Sequence, residues 1–141
     1  MTSGTLSPDQ EQRVRRALAK VPFAKLLGIE PESFAAGVAV LGMPLHENLK
    51  QNSGVVHGGA IASLIDTATA LAITTLLPEG ERVTTVDLTI TYLRPLITGR
   101  ATSTAKVVQA GKRIIAVSAE VLGPDRSLVA TALSTYLRLE R

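Results

Sequence analysis

The sequence predicts an α+β domain in which one curved antiparallel β-sheet is folded around a central apolar α-helix. Three observations predict it. Residues 58–77 carry a helical pattern that is apolar nearly all round, through Ile61, Leu64, Ile65, Ala68, Leu71, Ala72, Ile73 and Leu76. Such a helix belongs in the middle of a structure, wrapped on most sides. From residue 82 onward the apolar period becomes two, interrupted by tight turns. The length of 141 residues suits one core and leaves no room for a second.

The elements follow in order. Ser7-Pro8-Asp9-Gln10 starts a helix: Ser7 can cap, Pro8 suits the first helical position, and Gln10 completes a capping box. Val14, Ala17, Leu18 and Val21 then share a face. Pro22 interrupts, and a second short helix runs to Leu27 with Gly28 as its stop. Residues 34–43 read as one strand, with Val38 and Val40 on one side. Gln51-Asn52-Ser53-Gly54 is a loop by composition. The helix that begins at Gly58 stops at Leu77-Pro78-Glu79-Gly80. Strands are expected over 82–94, 99–109, 113–122 and 127–139, with turns at Ala110-Gly111-Lys112 and Gly123-Pro124-Asp125-Arg126. Strands joined by such short turns are antiparallel.

Composition excludes several classes of function. The chain has no Cys, so there is no disulfide framework, thiolate nucleophile or Cys-ligated metal. His46 and His57 are too few for a multi-His zinc site. Aromatics are 3% and Trp is absent, which leaves no stacking platform for single-stranded nucleic acid. The pI of about 9.6 suggests a polyanion partner until the charge is located. Residues 1–28 carry five basic side chains against two acidic ones, while residues 29–141 carry ten of each. The excess reads as one solvated helix face, and no nucleic acid is expected. Residues 1–10 have no positive n-region or apolar core, and residues 60–77 are too polar to span a bilayer. These features favour the cytoplasm.

Asp66 is the single ionised group between Gly58 and Leu77. A lone carboxylate on an apolar helix is costly without partners and points to function. His57-Gly58-Gly59 opens the same helix. First-turn N–H groups have no intrahelical partner and sit at the positive end of the dipole. Glycines there let a carbonyl that becomes negative approach the backbone closely. Eight residues separate Gly58 from Asp66, about 12 Å along a helix axis at about 1.5 Å per residue. A base and an oxyanion donor must both lie within roughly 3–3.5 Å of one reacting carbon. One helix cannot supply both. Two antiparallel helices across a two-fold axis can, giving two equivalent sites per homodimer or per half of a homotetramer.

The run Gln51-Asn52-Ser53-Gly54-Val55-Val56-His57-Gly58-Gly59 through Asp66-Thr67-Ala68 resembles the active-site segment of hotdog-fold thioesterases of the phenylacetic-acid-degradation (PaaI) type. Asp87-Leu88-Thr89-Ile90-Thr91-Tyr92-Leu93-Arg94-Pro95 with Gly99 resembles that family's next strand. The likeness covers about residues 36–138. It implies a hotdog thioesterase domain over 29–141 behind an N-terminal helical segment at 1–28. It implies hydrolysis of acyl-CoA or aryl-CoA thioesters without metal or other cofactor. The acid at Asp66 is then the general base or nucleophile, and the N–H of Gly58 polarises the thioester carbonyl. Gln51, followed by Asn52, places water or substrate. Thr85 lines the site, with Gly59 beside it, and His57 mainly holds the turn. Arg94, Lys112 and Arg113, together with Arg100, are candidates to meet the CoA phosphates. Two alternatives share the fold: a non-catalytic acyl-CoA binding or sensing module, and a hotdog dehydratase using His57 with an acid.

Overall fold

The computed structural model describes residues 4–139. Met1–Ser3 and Glu140–Arg141, the extreme ends of the two segments expected from the sequence, lie outside the described residues. Helix α1 spans Pro8–Ala19 and begins with the expected capping box: Ser7 Oγ accepts from the Gln10 N–H at 3.2 Å, and Gln10 Oε1 accepts from the Ser7 N–H at 2.8 Å. Its Val14 and Leu18 are buried. Helix α2 spans Pro22–Leu27 and ends at Gly28, whose φ of +77° is the left-handed conformation that favours glycine. Val14, Leu18 and Ala24 join the same hydrophobic core as the rest of the chain.

The single strand expected at 34–43 is a hairpin. Strand β1 covers Glu30–Ala35 and β2 covers Val38–Leu45, paired antiparallel from Ala35↔Val38 to Glu30↔Gly42. Ala36-Gly37 forms the turn, with Gly37 at φ +73°. The Gly37 N–H donates to the buried Thr75 Oγ1 at 2.7 Å, so the turn is tied to the helix below it. A Gly-centred two-residue turn is a hairpin signal. Here it is masked by the apolar residues on both sides.

A short 3₁₀ turn, Glu47–Leu49, leads into the loop before helix α3, Gly58–Thr74. This helix ends three residues before the expected stop. The Arg13 guanidinium of α1 donates to the Thr74 and Leu77 carbonyls at 3.0 and 2.7 Å, which satisfies acceptors that a helix end leaves open. Four strands follow: β3 Arg82–Tyr92, β4 Gly99–Ala110, β5 Ile114–Leu122 and β6 Leu128–Leu139. Together they make one six-stranded antiparallel sheet in the order β1-β2-β4-β5-β6-β3. β3 therefore does not pair with the strand that follows it. Residues 93–98 carry the chain across the sheet, and β3 pairs with β6 from Arg82↔Leu139 to Tyr92↔Ala130.

The sheet curves around α3, which packs chiefly on β2, β4 and β5. Leu64, Ile65, Ala68, Ala72 and Ile73 of the helix are fully enclosed by Leu41, Met43, Ala105, Val117 and Val121 of the sheet. β3 is the outer strand on one side, and it is long and open. Val86 is 55% exposed and Tyr92 48% exposed. No helix among the described residues is long and apolar enough to cross a membrane.

Candidate active site

The loop before α3 is built to present the start of that helix. The His57 N–H donates to the Leu49 carbonyl at 2.8 Å, and the Val56 N–H to the Leu96 carbonyl at 2.8 Å. His57 is the N-cap residue, its Nδ1 accepting from the Gly59 N–H at 2.7 Å. This satisfies one first-turn donor and uses the imidazole to hold the turn. The Gly58 N–H has no partner among the described residues. Its carbonyl accepts from the Tyr92 hydroxyl at 2.8 Å. A Cβ at position 58 would lie 3.2 Å from Tyr92 Cζ, so glycine gives the tyrosine ring its room.

Gln51, Gly58, Ile61, Tyr92 and Arg94 line an open cavity of about 370 Å³ at this end of the helix. Asn52 is exposed and does not line it. Gln51 is held in its loop by backbone bonds, its N–H donating to Val55 and its carbonyl accepting from Gly54, at 2.9 and 3.2 Å.

Asp66 stands two turns further along α3 and is half-buried. Its Oδ1 accepts from the Thr85 hydroxyl on β3 at 2.9 Å and lies 3.2 Å from the Tyr136 hydroxyl on β6. The Tyr136 oxygen is also 2.9 Å from the Asp66 carbonyl and 2.7 Å from Thr69 Oγ1. Burial pushes the Tyr136 phenol up to about 12, with hydrogen bonds from Thr69 and Thr85 opposing that rise. The hydroxyl therefore stays protonated at any working pH and can donate. Tyr136, Thr69 and Tyr92 were not singled out from the sequence. A tyrosine on an alternating strand reads as core, and nothing local ties it to a residue 70 positions away.

Within one chain the expected residues fall into two groups. Gln51, Gly58 and Arg94 lie at the Tyr92 end of β3. Asp66 and Thr85 lie at the other end, as do Lys112 and Arg113 in the β4–β5 turn, where the Arg113 carbonyl accepts from the Arg138 N–H at 2.8 Å and Arg138 stands opposite Val83. Arg100 belongs to neither group. Its guanidinium is ion-paired with Glu30 and Glu32 over Gly42, with β5 and β6 between it and β3. That pairing holds it above the usual arginine range, the Glu30 hydrogen bond being the largest cause. It is a brace for the β1 edge rather than a phosphate contact. No group of three or more His, Cys, Asp or Glu among the described residues is arranged to hold a metal ion.

A curved antiparallel sheet wrapped on one helix, with a glycine-rich first turn and a carboxylate on that helix, is the architecture of the hotdog thioester hydrolases. Comparison with known families narrows the class: residues 53–130 match the Thioesterase superfamily, and the chain belongs to it. The chain is 31% identical over 132 residues to the medium/long-chain acyl-CoA thioesterase YigI of Salmonella typhimurium, covering 83% of this chain and 85% of that one. It is similar to the solved structure of the Escherichia coli PaaI protein from the phenylacetic acid degradation operon, with TM-score 0.88, 29% identity, and 96% and 97% of the two chains covered. A thioesterase family protein from Silicibacter pomeroyi also superposes with TM-score 0.88 at 27% identity, over 94% and 99% of the two chains.

Proposed function

We propose that this protein hydrolyses acyl-CoA or aryl-CoA thioesters at two equivalent sites of a homodimer. Each site takes Gly58, Gln51 and Arg94 from one copy and Asp66, Thr85, Lys112 and Arg113 from the other. The observation that carries this reading is the Gly58 N–H, without a partner among the described residues, and the Asp66 carboxylate on one helix, eight residues apart. At about 12 Å of axial separation they cannot serve one carbon from the same copy.

The open strand β3 supports the pairing. An exposed edge strand is a template for another strand, and a two-fold axis through such a pair makes both the strands and the helices behind them antiparallel. Tyr92 is bonded to Gly58 and Thr85 to Asp66. A two-fold between Leu88 and Thr89 sets Tyr92 of one copy opposite Thr85 of the other. Each oxyanion turn then faces the other copy's carboxylate.

In this site the thioester oxygen accepts from the Gly58 N–H at the positive helix end. The Gln51 amide orients the water or the carbonyl. Asp66 takes the water's proton or attacks the carbonyl carbon itself, and the tetrahedral adduct collapses with expulsion of the CoA sulfur; in the second route water then hydrolyses the acyl–Asp66 anhydride and frees the carboxylate. An ordinary thiol has a pKa of about 8.5, so the thiolate leaves near neutral pH without a general acid. The exposed His57, Gly59 and Asn52 border the substrate entrance, and Arg94, Arg113 and Lys112 meet the CoA phosphates. YigI is named for acyl-CoA and PaaI for an aryl-acid operon, which supports the CoA thioester class and leaves the acyl group to experiment.

Thiol release from a panel of acyl-CoA and aryl-CoA esters, with and without chelator, tests the activity. Release that survives the chelator is expected, because no group of three or more His, Cys, Asp or Glu among the described residues is arranged to hold a metal. Binding of the esters without any release would instead fit the non-catalytic module, and loss with chelator restored by zinc would overturn the mechanism. Sedimentation of the active sample is expected to give a mass of two or four chains. A mass of one chain with activity intact excludes the shared site.

A further inference from the structure

Three hydroxyls surround one side of Asp66. Thr85 Oγ1 donates to Oδ1 at 2.9 Å, and the Tyr136 oxygen lies 3.2 Å from the same Oδ1. Oδ2 has no hydrogen-bond partner among the described residues. Tyr136 is 1% exposed and Thr69 is fully buried, so no bulk water competes for their hydroxyls.

The protons of this cluster must be assigned consistently. Tyr136 and Thr69 have one hydroxyl proton each, and their oxygens are 2.7 Å apart, so one donates to the other. Suppose Tyr136 donates to Thr69, leaving Thr69 to donate to the Asp66 carbonyl at 3.0 Å. The phenol oxygen then turns lone pairs toward both the Asp66 carbonyl at 2.9 Å and the carboxylate at 3.2 Å. Two such repulsive contacts in a buried site are unfavourable. In the opposite order Thr69 donates to Tyr136, the Tyr136 proton lies between the Asp66 carbonyl and carboxylate oxygens, and one contact alone, Thr69 Oγ1 to the Asp66 carbonyl at 3.0 Å, is left without a proton. The ionised carboxylate is the stronger acceptor of the two oxygens the Tyr136 proton can reach.

We infer that Tyr136 is a positioning residue whose hydroxyl, supplied by Thr69, donates to Asp66 Oδ1 and, with Thr85, fixes the carboxylate so that Oδ2 is the reacting oxygen. This rests on Asp66 being the reacting carboxylate. The cluster then has a clear division of labour. Two hydroxyls hold one oxygen from the sheet side, and the other oxygen stays bare toward the substrate. Free rotation of the carboxylate would spread its attack over unproductive directions, and misplacement of a reacting group is costly in rate.

The test is Tyr136→Phe, which keeps the ring in the core and lets Thr69 donate to the Asp66 carbonyl instead. The expected result is a fall in kcat of about tenfold or more, since hydrogen bonds to charged groups are the strong ones. KM is expected to stay within about twofold, so that the loss falls on kcat alone. A kcat within about twofold of the parent overturns the inference, whatever happens to the melting temperature. If the phenylalanine variant does not fold, Thr69→Val keeps the tyrosine and removes its donor. A fall in kcat of about threefold is then expected, and parental kcat overturns the inference. Asp66→Asn, measured in parallel, separates the two levels. Parental activity in Asp66→Asn defeats the assignment of Asp66 itself. An inactive Asp66→Asn beside a fully active Tyr136→Phe defeats the positioning role alone.

Discussion

Asp66→Asn is expected to lower turnover by about 10²–10⁴, the usual worth of a positioned base, and by more if the carboxylate attacks carbon directly. The substitution is nearly isosteric. The Asn carbonyl oxygen can still accept from Thr85 and Tyr136 where Oδ1 does now. Its amide nitrogen takes the place of Oδ2, which has no hydrogen-bond partner among the described residues and sits at a half-exposed position where water can reach it. Fold and ligand binding are therefore expected to persist, with a melting temperature equal to or above the parent's, as when a functional charge is removed. A purely structural carboxylate gives the opposite pattern. If the variant melts early and still turns over within about threefold of the parent, Asp66 is neither base nor nucleophile.

What could be read from the sequence depended on how local the cause was. The capping box at Ser7 and Gln10, the stop at Gly28 and the β4–β5–β6 meander are local patterns, and the structure has all of them. Helix α3 was legible because its apolar positions run nearly all round it, and Asp66 because it is the one charge on it. The β1–β2 hairpin was not. Ala36-Gly37 lies between residues apolar enough to read as one strand, and only the left-handed φ of Gly37 and its bond to Thr75 reveal the turn. β3 beside β6, rather than β4, is a pairing across some 40 residues of intervening chain that no turn rule supplies. The hydroxyls around Asp66 were hidden for the same reason. Thr85 entered through a family resemblance. Tyr136 and Thr69 come from a strand and a helix turn whose local patterns speak of core alone. Arg100 shows the reverse error: a basic side chain looks available until Glu30 and Glu32 arrive from a strand 70 residues earlier.

Gly58→Pro is expected to lower kcat by about 10²–10³, the usual loss on removing one oxyanion donor. Position 58 is the first residue of α3, where proline's fixed φ suits the helix and where its missing N–H breaks no helical bond. His57, at φ −63° and ψ 135°, already has the extended conformation required of a residue before proline. The variant thus deletes the one N–H in question with little change to the backbone. Gly58→Ala is the control. It brings the same Cβ toward the half-exposed Tyr92 ring but keeps the N–H, so it is expected to retain most activity. The two inactive variants together test where the site lies. Co-refolding Asp66→Asn with Gly58→Pro in equal amounts places about half the chains in mixed dimers, each with one site free of both changes, and restores about a quarter of the parental activity. That recovery is possible only if Gly58 of one copy serves Asp66 of the other. If both act within a single copy, every site in the mixture carries a defect. A mixture no more active than its components would then return both residues to one chain.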